Sequence, residues 1–340
     1  MKIPKPLSVE AFLNQSKGKV ALDVRSPSEY EKGHIKDAIS FPLFSDEERA
    51  VVGTLYKQNG KHAAMLKGLE FAGAKMAEMV KNAFILAPDK TIYVHCWRGG
   101  MRSGSVAQLL AYVGLDTFIL IDGYKAYRQH VLHHFDFHPY KLNVLGGKTG
   151  SGKTDVLKAL AEKGEQVLDL EGLANHRGSA FGAIMLPPQP SSEQFENLLF
   201  AQLSEMNPER PIWVESESRT IGHVFIPQGF WDKMQTSPLF LLEVPEQTRI
   251  ERLIEEYSPA EASALIEALK KIQTKLGGLV YQQALNAFQN GDLATATELV
   301  LKYYDKTYAH SNAQKDPISQ KMLTFTTESP AEIADALMQQ

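Results

Sequence analysis

Short apolar runs alternate with longer amphipathic stretches over the first third of the chain. Four runs have the length of β-strands, and residues 103–114 carry apolar side chains at helical spacing. The strand-length runs are 19–24, 38–43, 91–96 and 116–123. Because strands that alternate with helices usually pack as a parallel sheet, this pattern predicts an α/β domain over residues 1–132.

The same alternation begins again after a polar segment at 133–140, which we interpret as a connector. The second set of strand-length runs comprises 141–147, 165–172, 210–216 and 238–244. From 246 to about 312 the apolar spacing is helical throughout. The pattern therefore predicts a second α/β domain over 141–340 that carries a helical portion.

Composition limits the class of protein. Hydrophobic residues make up 44% and charged residues 22% of the 340 positions, as in ordinary globular chains. The N-terminal stretch lacks an apolar signal core, and no run approaches the ~18 apolar residues of a membrane span. The single cysteine excludes a disulfide within the chain, which favours a reducing, cytoplasmic location without a membrane partner. The net charge of −4 argues against an overall basic field but leaves room for a local basic groove.

The only cysteine stands in the segment His-Cys-Trp-Arg-Gly-Gly-Met-Arg-Ser, residues 95–103, between a predicted strand and a predicted helix. Backbone N–H groups of a glycine-rich turn and of a following helix start converge on one point and bind anions. A thiol at that point is activated as a nucleophile, and Arg102 can bind an oxyanion held above the sulfur. The spacing thus favours chemistry at Cys96 over a buried, inert cysteine.

Residues 22–43 resemble the opening signature of rhodanese domains, and the cysteine segment falls where the active-site loop of that family lies. The matching residues are Asp23, Arg25, Glu29, Gly33, His34 and Ile35. The resemblance implies a structural role for Asp23, Arg25 and His34, and a catalytic loop that contains Cys96, Arg98, Gly99 and Arg102. Sulfurtransferase rhodaneses have four residues between the cysteine and the arginine, whereas this chain has five, as in Cys-dependent phosphatases. The loop alone therefore allows either chalcogen transfer or phosphate hydrolysis.

A complete Walker A pattern opens the second domain, between a predicted strand and a predicted helix. It comprises Gly147, Lys148, Thr149, Gly150, Ser151, Gly152, Lys153 and Thr154. Its amides and Lys153 suit a diphosphate, and the hydroxyl of Thr154 suits Mg²⁺. No typical Walker B aspartate follows, but two pairs of acidic residues can orient Mg²⁺, act as a general base or simply lie at solvated strand ends. The pairs are Asp169 with Glu171 and Glu215 with Glu217. Without a base-reading element, a diphosphate other than a nucleotide remains open.

Three further motifs, at 122–128, 169–182 and 213–222, complete a resemblance to the bacterial tRNA 2-selenouridine synthase family. The resemblance implies a tRNA substrate with a wobble 2-thiouridine. The sulfur of that base is first geranylated from geranyl diphosphate, and the S-geranyl group is then replaced by selenium from selenophosphate. Both phosphorylated compounds are co-substrates, no prosthetic group is implied, and a partner that supplies selenophosphate fits the scheme.

Candidate contacts to tRNA lie in the same motifs and on the C-terminal helices. The motif residues are Lys125, Arg128, His176, Arg177 and Arg219, and the helical ones are Lys270, Lys271 and Lys275. The rings of Tyr303, Tyr304, Tyr308 and His310 can stack on bases, although core packing is the favoured interpretation. Residues 179–188 are a candidate pocket for the geranyl chain. Two rival interpretations are a Cys-dependent phosphatase with a regulatory nucleotide-binding domain and a non-catalytic sensor.

Overall fold

The chain folds as two compact units, Met1–His134 and Phe135–Gln340. The structure is a computed structural model, which describes residues 2–312, 320–324 and 329–340, and the side chains of these except 309–312 and 320–322. Both units are α/β, each with a five-stranded parallel sheet, as the alternating pattern predicted.

The sheet of the first unit has the order β1-β5-β4-β2-β3, so that the strand before Cys96 is the central one. Its strands are β1 (Lys5–Leu7), β2 (Val20–Asp23), β3 (Ile39–Ser40), β4 (Thr91–His95) and β5 (Asp116–Leu120). Six helices accompany them: α1 (Val9–Gln15), α2 (Pro27–Lys32), α3 (Asp46–Gly73), α4 (Met76–Leu86), α5 (Met101–Tyr112) and α6 (Gly123–Phe137).

The core of this unit explains why β4 is central. Ile92, Tyr93 and Val94 are all buried, as is typical of a parallel strand covered on both faces. Ile92 and Val94 belong to a cluster with Leu22 of β2 and Leu110 of α5. Burying such an aliphatic side chain contributes about 1.5–3 kcal/mol to folding. The packing therefore fixes the end of β4, and with it the position of Cys96.

The second unit is built on a sheet of order β12-β11-β6-β8-β7, again with its loop-bearing strand, β6, in the centre. The strands are β6 (Leu142–Gly147), β7 (Gln166–Leu168), β8 (Ile212–Glu215), β11 (Leu239–Glu243) and β12 (Gln320–Thr324), and β9 (Thr220–Ile221) pairs with β10 (Val224–Phe225) in an antiparallel ribbon. The helices are α7 (Lys153–Glu162), α8 (Leu170–Ala174), α9 (Ser192–Ser204), α10 (Gln228–Thr236), α11 (Glu246–Tyr257), α12 (Ala262–Lys270), α13 (Gln273–Leu276), α14 (Gly278–Gln289), α15 (Leu293–Asn312) and α16 (Pro330–Met338).

The structure adds elements that the sequence pattern did not predict. α6 continues to Phe137, so residues 133–137 of the polar segment interpreted as a connector are helical. β12 pairs with β11 at the sheet edge, and α16 packs Ile333 and Leu337 against the α7 side of the core. The predicted helical portion is present as α11 to α15. Within the described part of the chain, no helix combines the length and apolar character needed to cross a bilayer.

Candidate active sites

The first candidate site is the loop that joins β4 to α5, which we call the thiol loop (residues 96–102). Cys96 is buried, with 3% of its surface exposed, and its Sγ lies 3.2 Å from Oγ of Ser103. Ser103 Oγ also lies 3.3 Å from the carbonyl oxygen of Gly100, to which it donates. Gly100 is the residue at the start of α5, so the thiol faces the N-terminal turn of that helix through Ser103.

The turn between β5 and α6 forms backbone hydrogen bonds with the thiol loop. The backbone N–H groups of Tyr124 and Lys125 donate to the carbonyl oxygens of Cys96 and Trp97 at 2.8 and 2.9 Å. The first N–H groups of a helix have no partner within that helix. The carbonyl oxygens of the thiol loop accept hydrogen bonds from two of them and so cap α6. Gly123 has φ of 60°, and a Cβ there would overlap the carbonyl oxygen of Cys96. The 122–128 motif therefore supports the thiol loop with its backbone, while the side chain of Lys125 is exposed and that of Arg128 half-buried.

Substituting Gly123 by alanine is expected to lower the free energy of unfolding by about 2–4 kcal/mol, because the methyl group adds a backbone collision to a left-handed conformation. Gly18 provides a matched control. Its φ is 68°, and no heavy atom lies within 4 Å of the Cβ that alanine would add, so Gly18→Ala should cost only about 1 kcal/mol. Urea unfolding of the full chain followed by far-UV circular dichroism measures both. Equal losses in the two variants would contradict the close packing of the thiol loop on this turn.

Arg102 is oriented by a residue that the sequence pattern did not place in the site. Its Nη1 and Nη2 donate to the two carboxylate oxygens of Glu29 at 2.5 and 3.2 Å. Burial works to raise the pKa of Glu29, but the bonds from Arg102 outweigh it and hold that pKa below its ordinary value. A guanidinium has five N–H donors, of which Glu29 takes two, so Arg102 keeps donors for an anion. Arg98 is exposed at the loop tip.

A buried ionic group lies beside the thiol loop. Arg25 donates to both oxygens of Asp23 and, at 2.6 Å, to the carbonyl oxygen of Gly33. Its guanidinium lies 3.8 Å from the ring centroid of Tyr124. Burial lowers the pKa of His95 to about 4, so this ring is neutral at physiological pH. These contacts tie strand ends to the α6 turn, which is the structural role expected of Asp23 and Arg25.

The second candidate site is the phosphate loop, residues 147–154, between β6 and α7. Gly152, with φ of 81°, precedes the first residue of the helix, and Lys153 Nζ donates to the carbonyl oxygen of Gly147 at 3.0 Å. The Ser151 N–H donates to the carbonyl oxygen of Lys148 at 3.0 Å. The buried Ser151 Oγ has no hydrogen-bond partner among the described residues. An ammonium group has three donors, so Lys153 retains two for a bound anion.

Two arginines of α11 brace the phosphate loop, and the sequence pattern did not identify them. Arg249 Nη1 donates to the carbonyl oxygen of Thr149 at 3.2 Å, and Arg249 Nη2 pairs with Asp305 at 2.7 Å. Arg252 Nη1 donates to the carbonyl oxygen of Ser151 at 2.9 Å. The two arginines are three residues apart in the sequence, which places them on the same face of α11. This spacing could have indicated that both side chains contact the same loop.

The predicted acidic pairs meet beside the phosphate loop and form what we call the carboxyl cluster: Asp169, Glu171, Glu215 and Glu217. The Glu171 N–H donates to Glu215 Oε1 at 2.7 Å, and the side chains of Glu171 and Glu217 lie close enough to interact electrostatically. Asp169 accepts from the Gly172 N–H at 2.7 Å and caps α8. The described residues contain no group of three or more His, Cys, Asp or Glu side chains arranged to hold a metal ion.

Burial and mutual repulsion keep the carboxyl cluster partly protonated. Burial, reinforced by the charge of Glu217, raises the pKa of Glu171 to about 8, and Lys153 opposes the shift. Burial also raises the pKa of Glu215 well above its ordinary value, with Asp169 adding to it. Gly178, with φ of 66°, lies against Glu217 so closely that a Cβ would collide with its carboxyl group. The cluster can therefore exchange protons near neutral pH, next to the lysine of the phosphate loop.

An apolar cleft opens at the phosphate loop. Thr149 of that loop lies on its wall, as do Ser179 and Phe181 of the segment predicted to hold a geranyl chain. The remaining lining residues come from the helical portion: Leu253, Ile254, Tyr257, Leu265, Phe288, Leu293, Thr297, Val300, Leu301 and Tyr304. The Ala180 N–H donates to the hydroxyl of Tyr304 at 2.9 Å, which fixes the segment to α15. The phosphate loop and an apolar surface thus adjoin within one unit.

The candidate tRNA contacts differ in how far they are buried and in the ion pairs that they form. Arg177 Nε pairs with Glu256 at 2.7 Å, and its Nη1 donates to the carbonyl oxygen of Ile184, so its charge is engaged inside the unit. His176 is buried, and burial lowers its pKa. Lys270 pairs with Glu267 at 2.5 Å. Five of the candidate side chains are exposed: Lys125, Arg219, Lys270, Lys271 and Lys275. Tyr303 packs beside Tyr304 in the helical core, and the side chain of His310 lies outside the described residues. A role for any of them in tRNA binding stays a prediction.

Comparison with known proteins covers both units. A family model described as a rhodanese-like domain matches residues 8–130, and one described as the tRNA 2-selenouridine synthase AAA domain matches residues 140–340. A rhodanese-related protein of known structure from Thermoplasma volcanium is 20% identical with a TM-score of 0.24, and the match covers 37% of this chain and 92% of that one.

Curated relatives agree over nearly the whole length. The tRNA 2-selenouridine synthase of Shewanella woodyi is 34% identical, and the match covers 92% of each chain. The protein of the same name from Nitrosomonas europaea is 37% identical over 69% of this chain and 63% of its own. These matches confirm the order of a rhodanese-like domain followed by a P-loop domain. The chain belongs to the tRNA 2-selenouridine synthase family.

Proposed function

We propose that this enzyme converts the wobble 2-thiouridine of tRNA to 2-selenouridine in two steps, each with its own phosphorylated co-substrate. Geranyl diphosphate alkylates the sulfur in the second unit, and selenium from selenophosphate then replaces the S-geranyl group with the help of the thiol loop. The observation that carries the proposal is the apolar cleft that begins at the phosphate loop. A prenyl diphosphate needs both surfaces, a loop that binds the diphosphate and an apolar cleft that binds the chain.

In the first step the phosphate loop binds the diphosphate and the cleft binds the geranyl chain. The C–O bond of geranyl diphosphate breaks as the thiouridine sulfur forms a bond to the same carbon, and the diphosphate leaves with the electron pair. Lys153 and the loop amides stabilise the charge that develops on the leaving group. Mg²⁺ prefers oxygen ligands, and the hydroxyl of Thr154 would hold the ion at the phosphate loop. A bound Mg²⁺ would neutralise part of the charge of the diphosphate.

Alkylation of the sulfur also releases a proton, because the N3–H bond of the base is lost when N3 forms a double bond to C2. The carboxyl cluster is the proton acceptor in this proposal. Glu171 and Glu217 support it, since both lie beside Lys153 and their pKa values are raised toward the range in which a general base works.

We expect Glu171→Gln to lower kcat for geranylation by about 10²-fold, with little change in the affinity for geranyl diphosphate. A base acts in its ionised form, and the pKa of Glu171 is raised to about 8, so the rate for the unmodified enzyme should rise as pH increases through 8. Glu171→Gln should remove that rise, whereas the exposed Glu162→Gln should keep it. A single-turnover pH profile measures the effect. An unaltered profile in Glu171→Gln would contradict the assignment.

In the second step the thiol loop handles selenium. Its backbone N–H groups and Arg102 suit the phosphate group of selenophosphate, and Cys96 is the nearby nucleophile. In this step the thiolate of Cys96 attacks the phosphorus of selenophosphate, so that an S–P bond forms as the P–Se bond breaks and selenide leaves with the electron pair. The selenide then forms a bond to C2 of the base as the C2–S bond breaks and the geranyl thiolate leaves and takes up a proton. Water hydrolyses the phosphorylated Cys96 and releases phosphate. Geranylation prepares the base for this step, since it turns the sulfur into a thiol leaving group.

Nucleoside mass spectrometry of tRNA tests the proposed function. Cells that lack the gene and are grown with selenium should contain 2-thiouridine but no 2-selenouridine, and the restored gene should bring back the selenated nucleoside. Normal 2-selenouridine in the deleted strain would overturn the proposal.

The spacing of five residues between Cys96 and Arg102 supports a second candidate function, that of a Cys-dependent phosphatase with a regulatory nucleotide-binding domain. Release of phosphate from an aryl phosphate, lost in Cys96→Ser, would favour it. We expect no such release, because the cleft at the phosphate loop serves no purpose in that reaction.

A further inference from the structure

We propose that the bend of α3 is a binding surface for the tRNA substrate, an assignment that rests on the proposed function. The surface, which we call the α3 surface, comprises Tyr56, Lys57, Gln58, Asn59, Lys61 and His62. None of these residues belongs to the thiol loop, to the phosphate loop or to the motifs considered above.

The backbone of α3 changes direction at Gly60. This residue has φ of 85° and ψ of 178°, which breaks the helix into two halves. Only glycine adopts that conformation without strain, and a Cβ there would meet no heavy atom within 4 Å. The bend is therefore open on its outer side. All six residues of the α3 surface are exposed, including 54% of the Tyr56 side chain.

The middle of this helix is basic, whereas acidic residues lie at its start and near its end: Asp46, Glu47, Glu48 and Glu70. Residues 49–69 include four basic side chains and no aspartate or glutamate, although the chain as a whole has 36 basic and 40 acidic residues. Two of the four are engaged: Arg49 lies 3.9 Å from Glu29, and Lys67 pairs with Glu70 at 2.6 Å. Within the described parts of the chain, Lys57 and Lys61 have no acidic partner. Their charges remain available to an anionic partner.

The chemistry of the remaining side chains selects RNA among anionic partners. Tyr56 adds an exposed ring within five residues of both lysines along the chain, and unpaired bases stack on such rings. Gln58 and Asn59 supply amide donors and acceptors for base edges or sugars. Lysines next to an aromatic ring and amides are a typical combination for an RNA loop, and the wobble base lies in such a loop. The partner that fits is therefore tRNA near its unpaired nucleotides.

Fluorescence anisotropy with labelled, thiolated tRNA and the full-length enzyme tests this surface directly. The double variant Lys57→Glu/Lys61→Glu should weaken binding by tenfold or more in about 0.1 M salt. Neutral Lys57→Ala/Lys61→Ala should reduce the slope of log affinity against log salt by about 0.7–0.9 for each phosphate that the protein no longer binds. Tyr56→Ala should lower the affinity about tenfold with the slope unchanged, while Tyr56→Phe, which keeps the ring, should bind normally.

Controls separate this inference from the proposed function. Lys17→Glu/Lys81→Glu makes the same charge change at two exposed lysines outside α3 and should bind tRNA within about twofold of the unmodified enzyme. Geranyl diphosphate binding and the thermal midpoint should be unchanged in every variant. If the unmodified enzyme binds no thiolated tRNA, the proposed function fails. If it binds and the α3 variants bind equally well, the α3 assignment alone fails. The assignment also fails if the variants change only self-association, since the surface would then contact a second copy of the chain.

Discussion

Cys96→Ser is expected to abolish formation of 2-selenouridine, with a loss of about 10³-fold or more, and to leave geranylation within about twofold of normal. The physical reason is that a serine hydroxyl is a far weaker nucleophile than a thiolate and does not displace selenide from the phosphorus of selenophosphate at a comparable rate. The fold should persist, because Ser103 Oγ lies 3.2 Å from the sulfur and can bond the hydroxyl that replaces it. Reaction of thiolated tRNA with both co-substrates, followed by nucleoside mass spectrometry, should show S-geranyl-2-thiouridine as the final product.

A matched control for this variant is Ser103→Ala, which removes the partner of the sulfur and keeps the thiol. It should slow selenation without abolishing it. Cys96 is buried in the resting structure, so an inert structural cysteine is the alternative that the experiment excludes. Normal selenation by Cys96→Ser would show that the buried sulfur takes no part in the reaction.

Lys153→Ala is expected to lower the geranylation rate by about 10²–10³-fold and to weaken geranyl diphosphate binding. The ammonium group donates one bond to the Gly147 carbonyl oxygen and keeps two donors for the diphosphate of the proposed first step. Selenation of tRNA that already carries the S-geranyl group should proceed nearly as fast as in the unmodified enzyme. Isothermal titration with geranyl diphosphate and a single-turnover assay measure the two losses.

Lys158→Ala on the same helix is the control for the removal of a positive charge. Lys158 is exposed and lies 3.5 Å from Asp155, so its removal should leave both binding and rate within about twofold. Equal affinity for geranyl diphosphate in Lys153→Ala and Lys158→Ala would remove the diphosphate site from the phosphate loop.

The sequence predicted those parts of the fold that depend on local pattern. β4 and β6 are short apolar runs that lead directly into glycine-rich loops, and a parallel strand with such a loop after it is recognisable without any long-range information. The helical portion was predictable for the same reason, since α11 and α12 have a regular apolar face. Elements held by partners far along the chain were missed. β12 has no signal of its own and exists because β11 offers it an edge.

The same distinction between local sequence pattern and long-range contact applies to the candidate sites. The two candidate anion-binding loops were predicted from glycines and charged residues at fixed spacing, and their binding of anions stays a prediction. Glu29 was assigned only to a family signature, and its bond to Arg102 joins residues that are 73 positions apart. Arg249 and Arg252 contact a loop about 100 residues earlier. The meeting of the carboxyl pairs and the opening of the cleft at Thr149 also depend on tertiary packing, which no local pattern encodes.

The central claim is that one enzyme acts on one nucleobase in sequence, first through the phosphate loop with its apolar cleft and then through the thiol loop. A time course with purified enzyme, thiolated tRNA, geranyl diphosphate and selenophosphate, quenched and analysed by nucleoside mass spectrometry, tests it most directly. We expect S-geranyl-2-thiouridine to rise first and then to decay into 2-selenouridine, and we expect omission of geranyl diphosphate to prevent both. Formation of 2-selenouridine at full rate without geranyl diphosphate would contradict the claim.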